Sequence, residues 1–383
     1  MLLMTPGPIE VDERVVAAAH QPAIYHQAPQ FYQTVDDTIA MLRTIYGTRS
    51  DVIILPGSGR LGLEAAICSV VEPGDATLHL QNGTFAAMSV DIARAAGADA
   101  TVLEGRWGGP LDLDAVRAQL RRRHYKMLLL TQSETSTGAC YPVAAVAKLC
   151  AEVDTLCFVD GISSIGSIEF EMDRMGADLA VSGSHKSIGA LMGLSMVGVS
   201  ERAYAAMQAR RVACHSYSLN LLRWRQVFFG QPAPRRFPVI PSPHMVLALH
   251  EACRLALAEG MPARWRRHSR FAEATRRAVS ALGLELFPDK EVAADSITAV
   301  RVPAGLRESD ILARMADKYQ VMIGGSLWGA THGKLFRISH QSVQASRECL
   351  VPTLTALENT LADLGFPVER GRALAAFEQS LVG

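Results

Sequence analysis

The sequence predicts an α/β protein in two parts: a large domain on a mainly parallel seven-stranded sheet, then a smaller C-terminal α+β domain. Three observations carry this expectation. From Asp51 to Val199 short apolar runs alternate with longer helical stretches, the pattern of strand and helix units over a parallel sheet. Each of the middle runs ends in a small or polar cluster. A chain of 383 residues also exceeds one small core and should divide into about two or three units.

The strand candidates are Val52 to Leu55, Ala76 to Leu80, Ala100 to Leu103, Lys126 to Thr131, Leu156 to Val159, Leu179 to Ser182 and Leu194 to Val199. The clusters that follow are Pro56 to Gly59, Gln81 to Gly83, Gln132 to Gly138, Asp160-Gly161 and Gly183 to Lys186. Ligands of open α/β sheets bind where strands end and loops lead into helices, so these clusters should share one rim. After about Ser200 the chain turns rich in Arg, aromatic residues and Pro (Trp224 to Pro243), and a helical pattern follows from Met245 to Ala258. The remainder reads as strand Ile297 to Val302, helix Ser309 to Tyr319, strands Val321 to Ile323 and Leu335 to Ser339, and helix Arg347 to Leu364. The expected division is an N-terminal segment, 1–20, packing with the small domain, a large domain, 21–244, and a small domain, 245–383.

Lys plus Arg total 38 and Asp plus Glu total 38, so no net field attracts nucleic acid or an acidic membrane. The basic stretches Arg121 to Arg123 and Arg264 to Arg270 read as solvated helix faces. The N-terminus lacks a leader pattern and no window approaches a membrane span, so the expected location is cytoplasmic. Seven scattered cysteines without a close CxxC pair fit reduced thiols better than disulfides or a metal site.

Three motifs carry chemistry. In Pro56-Gly57-Ser58-Gly59-Arg60 an apolar strand runs through glycines into a helix, whose free N–H groups would hold a phosphate; a plain turn is the duller reading. Asp160 ends a buried strand on the ligand rim, where it could pair with a protonated pyridine nitrogen or merely cap a helix. Lys186 follows Ser182-Gly183-Ser184-His185 past another strand; partly desolvated there, its amine could form an imine and shuttle protons. Together they fit one cofactor, with a phosphate cup, a ring-nitrogen partner and an imine-forming lysine between them.

With these residues the chain resembles the fold-type I, class V aminotransferases dependent on pyridoxal 5'-phosphate (PLP). Within that group it is similar to the alanine-glyoxylate (serine-pyruvate), ureidoglycine-glyoxylate and pyridoxamine-pyruvate enzymes, from Met4-Thr5-Pro6-Gly7-Pro8 to the end of the second domain. The resemblance implies that Lys186 carries PLP as a Schiff base and that Asp160 faces the pyridine nitrogen. It implies Phe85 in Asn82-Gly83-Thr84-Phe85 as the ring stacked on the cofactor, and Ser58, Gly59, Arg60 and His185 around the phosphate. Ser136 in Glu134-Thr135-Ser136-Thr137-Gly138 would lie by the ring, and Arg337 in Gly333-Lys334-Leu335-Phe336-Arg337-Ile338 would grip the substrate carboxylate. Phe85 as ordinary core, His185 as a satisfied loop histidine and Arg337 in an internal salt bridge are the rival readings.

Two departures bear on the substrate. Where alanine-glyoxylate relatives place a Tyr and a Thr that reach the phosphate across a dimer, this chain has Ala233-Pro234-Arg235-Arg236-Phe237-Pro238-Val239. Arg236, with Arg235 beside it, would supply that contact from the neighbouring subunit of a homodimer. The segment Ile24-Tyr25-His26-Gln27 aligns with the stretch lining the substrate pocket, so Tyr25, His26 and Gln27 are candidate substrate contacts, although they match none of the named subfamilies closely. Ser58 stands where the pyridoxamine-pyruvate enzyme carries an acidic residue, which favours PLP over free pyridoxal. The expected activity is ping-pong transfer of an amino group from an amino acid or related amine to pyruvate or glyoxylate. The alternatives are a pyridoxamine-pyruvate type of reaction and a PLP lyase of the same fold; the lyase would need a nucleophilic Cys on a loop, whereas Cys349 lies in a helical pattern.

Overall fold

The computed structural model describes residues 1–22, 24–230 and 235–382. Strands β1 (Leu2–Met4), β2 (Asp51–Pro56), β3 (Ala76–Gln81), β4 (Asp99–Glu104), β5 (Met127–Thr131), β6 (Ser133–Glu134), β7 (Ala139–Cys140), β8 (Leu156–Asp160), β9 (Leu179–Gly183), β10 (Leu194–Val199), β11 (Ile297–Arg301), β12 (Val321–Gly325) and β13 (Leu335–Ser339) form three sheets.

The large sheet runs β2-β10-β9-β8-β5-β3-β4, parallel except for β10, which is antiparallel to both of its neighbours. All seven expected strands are present. Strands β5, β8, β9 and β10 are buried at every residue, which is why they read as continuous apolar runs rather than alternating ones. The pairings give β2, β3, β5, β8 and β9 one direction, so the clusters that follow them share a rim.

The small sheet runs β1-β12-β13-β11. Strand β1 comes from the N-terminus and lies parallel to β12, pairing Leu2 with Val321 and Met4 with Ile323. Three residues are too few to show a period, so the sequence gives no sign of this strand. The hairpin β6–β7 and the C-terminal helix Arg372–Val382 also go beyond the sequence reading.

Two apolar cores follow the sheets. Helix Pro243–Glu259, which the sequence suggests as the opening of the small domain, buries Val246, Leu249 and Cys253 in the core of the large sheet. The second core begins in the next helix, Met261–Ala281, with Ala274, Ala278 and Val279 against β11, β12, β13 and helix Arg347–Asp363.

The junction between the cores corrects one expectation. Arg264 to Arg270 is not a solvated face at its start: Arg264 is buried and donates to Gly166 O at 2.6 Å, Ser187 O at 3.0 Å and Ser342 Oγ at 3.1 Å. Burying a guanidinium is tolerable only with such partners, and Glu259 adds a carboxylate at 3.3 Å. Arg121 to Arg123, by contrast, are exposed. No described helix is long and apolar enough to cross a membrane.

Candidate active site

The carboxyl ends of β2, β8 and β9, the N-terminal segment and β13 enclose a cavity of about 310 Å³. At one end, β2 turns at Gly57 (φ +142°), where a side chain would collide with Leu61, and helix Gly59–Val70 begins. Ser58 occupies the cap position, yet its hydroxyl makes no capping bond, and the residue lines the cavity with Gly59 and Arg60. His185 is buried, and its Nδ1 has no hydrogen-bond partner. Burial, then the Lys186 charge, pulls its pKa down to about 4, so the ring is neutral. A Cβ added to Gly183 would sit 3.5 Å from Gly59 N and 3.6 Å from His185 Nδ1. The bare glycine thus leaves a small polar cradle at a helix N-terminus, the donor set that suits a phosphate.

At the other end stands Asp160, the last residue of β8. No helix starts behind it; its Oδ1 accepts the Ile162 N–H at 3.0 Å, a local turn bond. Burial raises its pKa to about 7, opposed by the Ile162 N–H. A carboxylate so costly to leave unpaired gains most from a cationic ring nitrogen.

Between the two ends, Lys186 follows β9 in a kinked turn, with φ −121° and ψ −138° at the lysine itself. Its Nζ donates to Pro6 O at 2.6 Å and lies 5.8 Å from the centroid of Phe85. Burial and then the Arg337 charge bring its pKa down to about 8, close to neutral water, where an amine is both nucleophile and base. The N-terminal strap must pass close by: a side chain on Gly7 (φ +143°) would stand 2.5 Å from Lys186 Cε.

Arg337, in the middle of β13, is 5% exposed. It donates through Nε to Gly325 O at 2.8 Å, through Nη2 to the same carbonyl and through Nη1 to Thr135 O at 3.1 Å. Among the described residues no carboxylate is within ion-pair distance, so the internal salt bridge considered from the sequence is absent. Burial lowers its pKa to about 10, which leaves it cationic.

The structure therefore brings together Ser58, Gly59, Arg60, Phe85, Asp160, His185, Lys186 and Arg337. Ser136 is corrected: it is fully buried behind the wall, its Oγ donating to Glu134 Oε1 at 2.6 Å, while Ser133 and Thr135 line the cavity instead. In the β6–β7 turn Ser136 points back toward a helix start, accepting the Thr84 N–H at 2.9 Å. Tyr25, His26 and Gln27 do not line the cavity of their own chain; Tyr25 is 63% exposed and bonds Gln27 Oε1 at 2.6 Å. Arg236 is exposed and away from the cavity. Arg235 is committed within the chain, to both oxygens of Asp36 at 2.8 Å and over the Phe228 ring. Ala233 and Pro234 lie outside the described residues.

Sequence reasoning missed Glu134. Its carboxylate is completely buried and accepts the N–H groups of Phe85 at 3.1 Å and Ala86 at 3.0 Å on Oε2, and Ser136 N at 3.0 Å and Oγ on Oε1. Helix Thr84–Ala95 has only Gly83 at its cap, so Glu134 caps it from another element. The signal was a carboxylate in a small polar cluster on the ligand rim, beside a helix start lacking a cap of its own.

A seven-stranded sheet of this order with a lysine, an aspartate and a phosphate cradle on one rim defines a PLP-dependent enzyme. The chain belongs to the class-V aminotransferase family, whose model matches residues 11–340. It is 33% identical to an L-aspartate–glyoxylate aminotransferase of Paracoccus denitrificans over 384 aligned positions, covering 98% of this chain and 95% of the relative. Its fold superposes on the crystal structure of ureidoglycine-glyoxylate aminotransferase from Bacillus subtilis with a TM-score of 0.94 at 29% identity, covering 100% of this chain and 98% of that one. A pyridoxamine-pyruvate aminotransferase from Mesorhizobium loti gives a TM-score of 0.94 at 28% identity, with 100% and 97% covered. The protein is a PLP-dependent aminotransferase.

Proposed function

We propose that the chain transfers the amino group of a small α-amino acid to glyoxylate or pyruvate, in the cytoplasm, as a homodimer whose partner completes each cavity. Arg337 carries the substrate reading. A buried, cavity-facing guanidinium bonded only to carbonyls is an open seat for a carboxylate, the group that amino donor and 2-oxo acid share. The relatives' glyoxylate and pyruvate acceptors support the choice of small 2-oxo acids.

When bound, PLP supplies an electron sink for the pair left as a substrate α carbon loses its proton. The chain's own residues do the rest. Ser58, Gly59, Arg60 and His185 would hold the phosphate, Phe85 would cover one face of the ring, and Asp160 would keep the ring nitrogen protonated. Lys186 Nζ, near neutrality in basicity, would take the proton from the substrate α carbon and pass it to the C4' carbon of the cofactor in one half-reaction, and would move a proton the opposite way in the other. Arg337 orients the carboxylate in both, so that the α hydrogen faces the lysine.

Arg236 and Tyr25 are exposed on their own chain, which suits residues that act in a partner's cavity. The test is spectroscopic. Protein loaded with PLP should lose its visible band with an amino donor such as alanine, serine or aspartate, and regain it with glyoxylate or pyruvate. A band that responds to no amino acid refutes the reading, and a response to pyridoxamine alone would assign the pyridoxamine-pyruvate reaction.

A further inference from the structure

We propose that Glu134 is a positioning residue of the transamination, tying the aromatic wall to the carboxylate seat and supplying a hidden negative charge behind the cavity's cationic side chains. The proposal rests on the assignment of Lys186 and Phe85 to the cofactor.

The geometry has two halves. On one side, the first turn of helix Thr84–Ala95 delivers its N–H groups to the β6–β7 turn: Thr84 to Ser136 Oγ, Phe85 and Ala86 to Glu134 Oε2. Phe85 reaches the cavity wall from that turn, so its place follows from the carboxylate. The fit is close, since a Cβ on Gly83 would lie within 2.2 Å of Glu134 Cγ. On the other side, the next residue, Thr135, offers the carbonyl that Arg337 Nη1 grips at 3.1 Å, and its Oγ1 meets Ser163 Oγ at 2.9 Å. A shift of Glu134 therefore moves the ring wall and the guanidinium together.

The charge balance makes the same point. Lys186 faces Arg60 from helix Gly59–Val70, Arg337 from β13, the neutral His185 beside it and Asp160 from β8. Asp160 is the one acidic residue among those lining the described cavity, against three cationic side chains. Glu134 stands behind the wall. Burial holds its pKa above the usual carboxylate value, and its four donors oppose that rise. Phe85 N, Ala86 N, Ser136 N and Ser136 Oγ all donate to its two oxygens, surroundings that suit an ionised carboxylate.

The test uses full-length protein, Glu134→Gln and Glu134→Asp. The amide keeps the shape but has one acceptor oxygen and no charge, so either the helix start or Ser136 loses its partner. With secondary structure retained by circular dichroism, the PLP dissociation constant of Glu134→Gln should rise about ten-fold or more, as for loss of a charge-assisted bond. In cofactor-stripped protein, reductive methylation of Lys186 followed by peptide mass spectrometry should show its titration midpoint moved to lower pH by about half to one unit, since a neighbouring negative charge is gone. Glu134→Asp keeps the charge one methylene short of the helix, so its midpoint should stay near that of the native protein while PLP binding weakens. A folded Glu134→Gln with unchanged PLP affinity or an unmoved midpoint overturns the proposal. Should that variant not fold, Glu134→Asp decides: native PLP affinity overturns it. Lys186→Ala, which should abolish borohydride-stable attachment of PLP, tests the parent assignment separately.

Discussion

Arg337→Lys isolates the value of the guanidinium fork. Lysine keeps the charge but cannot bond Gly325 O and Thr135 O while presenting two parallel N–H groups to a carboxylate. Loss of one charge-assisted bond costs about 1.5–3 kcal/mol, which is roughly a 10- to 150-fold fall in kcat/KM. The loss should appear for both donor and acceptor, because one seat serves both. The assay is single-turnover bleaching of the PLP band by an amino acid, compared with bleaching by the amine that lacks its carboxylate. Arg337→Lys should slow the amino acid and leave the amine little changed, so their ratio collapses. An unchanged ratio would show that the carboxylate sits elsewhere and would refute the reasoning.

Gly7→Ala puts a methyl group 2.5 Å from Lys186 Cε at a φ of +143°, and the displaced strap should cost about 1–3 kcal/mol of stability and slow PLP capture; melting temperature and loading rate measure both. His79 and His340 are buried and neutral, with pKa values pulled down by burial to about 3. A depressed folded value means that the unfolded chain binds protons first, so stability is full above about pH 6.5 and falls as pH drops toward 3. Between pH 6.5 and 5 each should cost about 2 kcal/mol, 1.5 pH units at 1.36 kcal/mol each, and urea titrations that give one stability at pH 7 and pH 5 would contradict this. Arg236→Ala should weaken PLP retention without lowering the melting temperature of cofactor-free protein, because Arg236 is exposed on its own chain; equal PLP affinity by equilibrium dialysis would remove the partner role.

Much of the site is local, and local features are legible. Ser58 and Lys186 sit just past a strand and Asp160 at the end of one, and strand ends in a parallel sheet share a rim by construction. Ser136 misled because the β6–β7 turn sends alternate residues to opposite sides, and no pattern in six polar residues tells which side faces the cavity. Arg264 misled because a helix that crosses between two cores looks, in sequence, like one lying on a surface.

By itself the sequence determined the seven strands and the rim, since apolar period and turn composition are properties of neighbouring residues, and its three motifs with the resemblance they support implied the cofactor. Only the tertiary structure decided what closes the site. Lys186 Nζ meets Pro6 O across 180 residues, and Arg337 meets Thr135 O across 202. Glu134 caps a helix 48 residues away. Such contacts follow from how the two sheets and the N-terminal strap pack together, and packing is specified by the whole chain at once rather than by any segment of it.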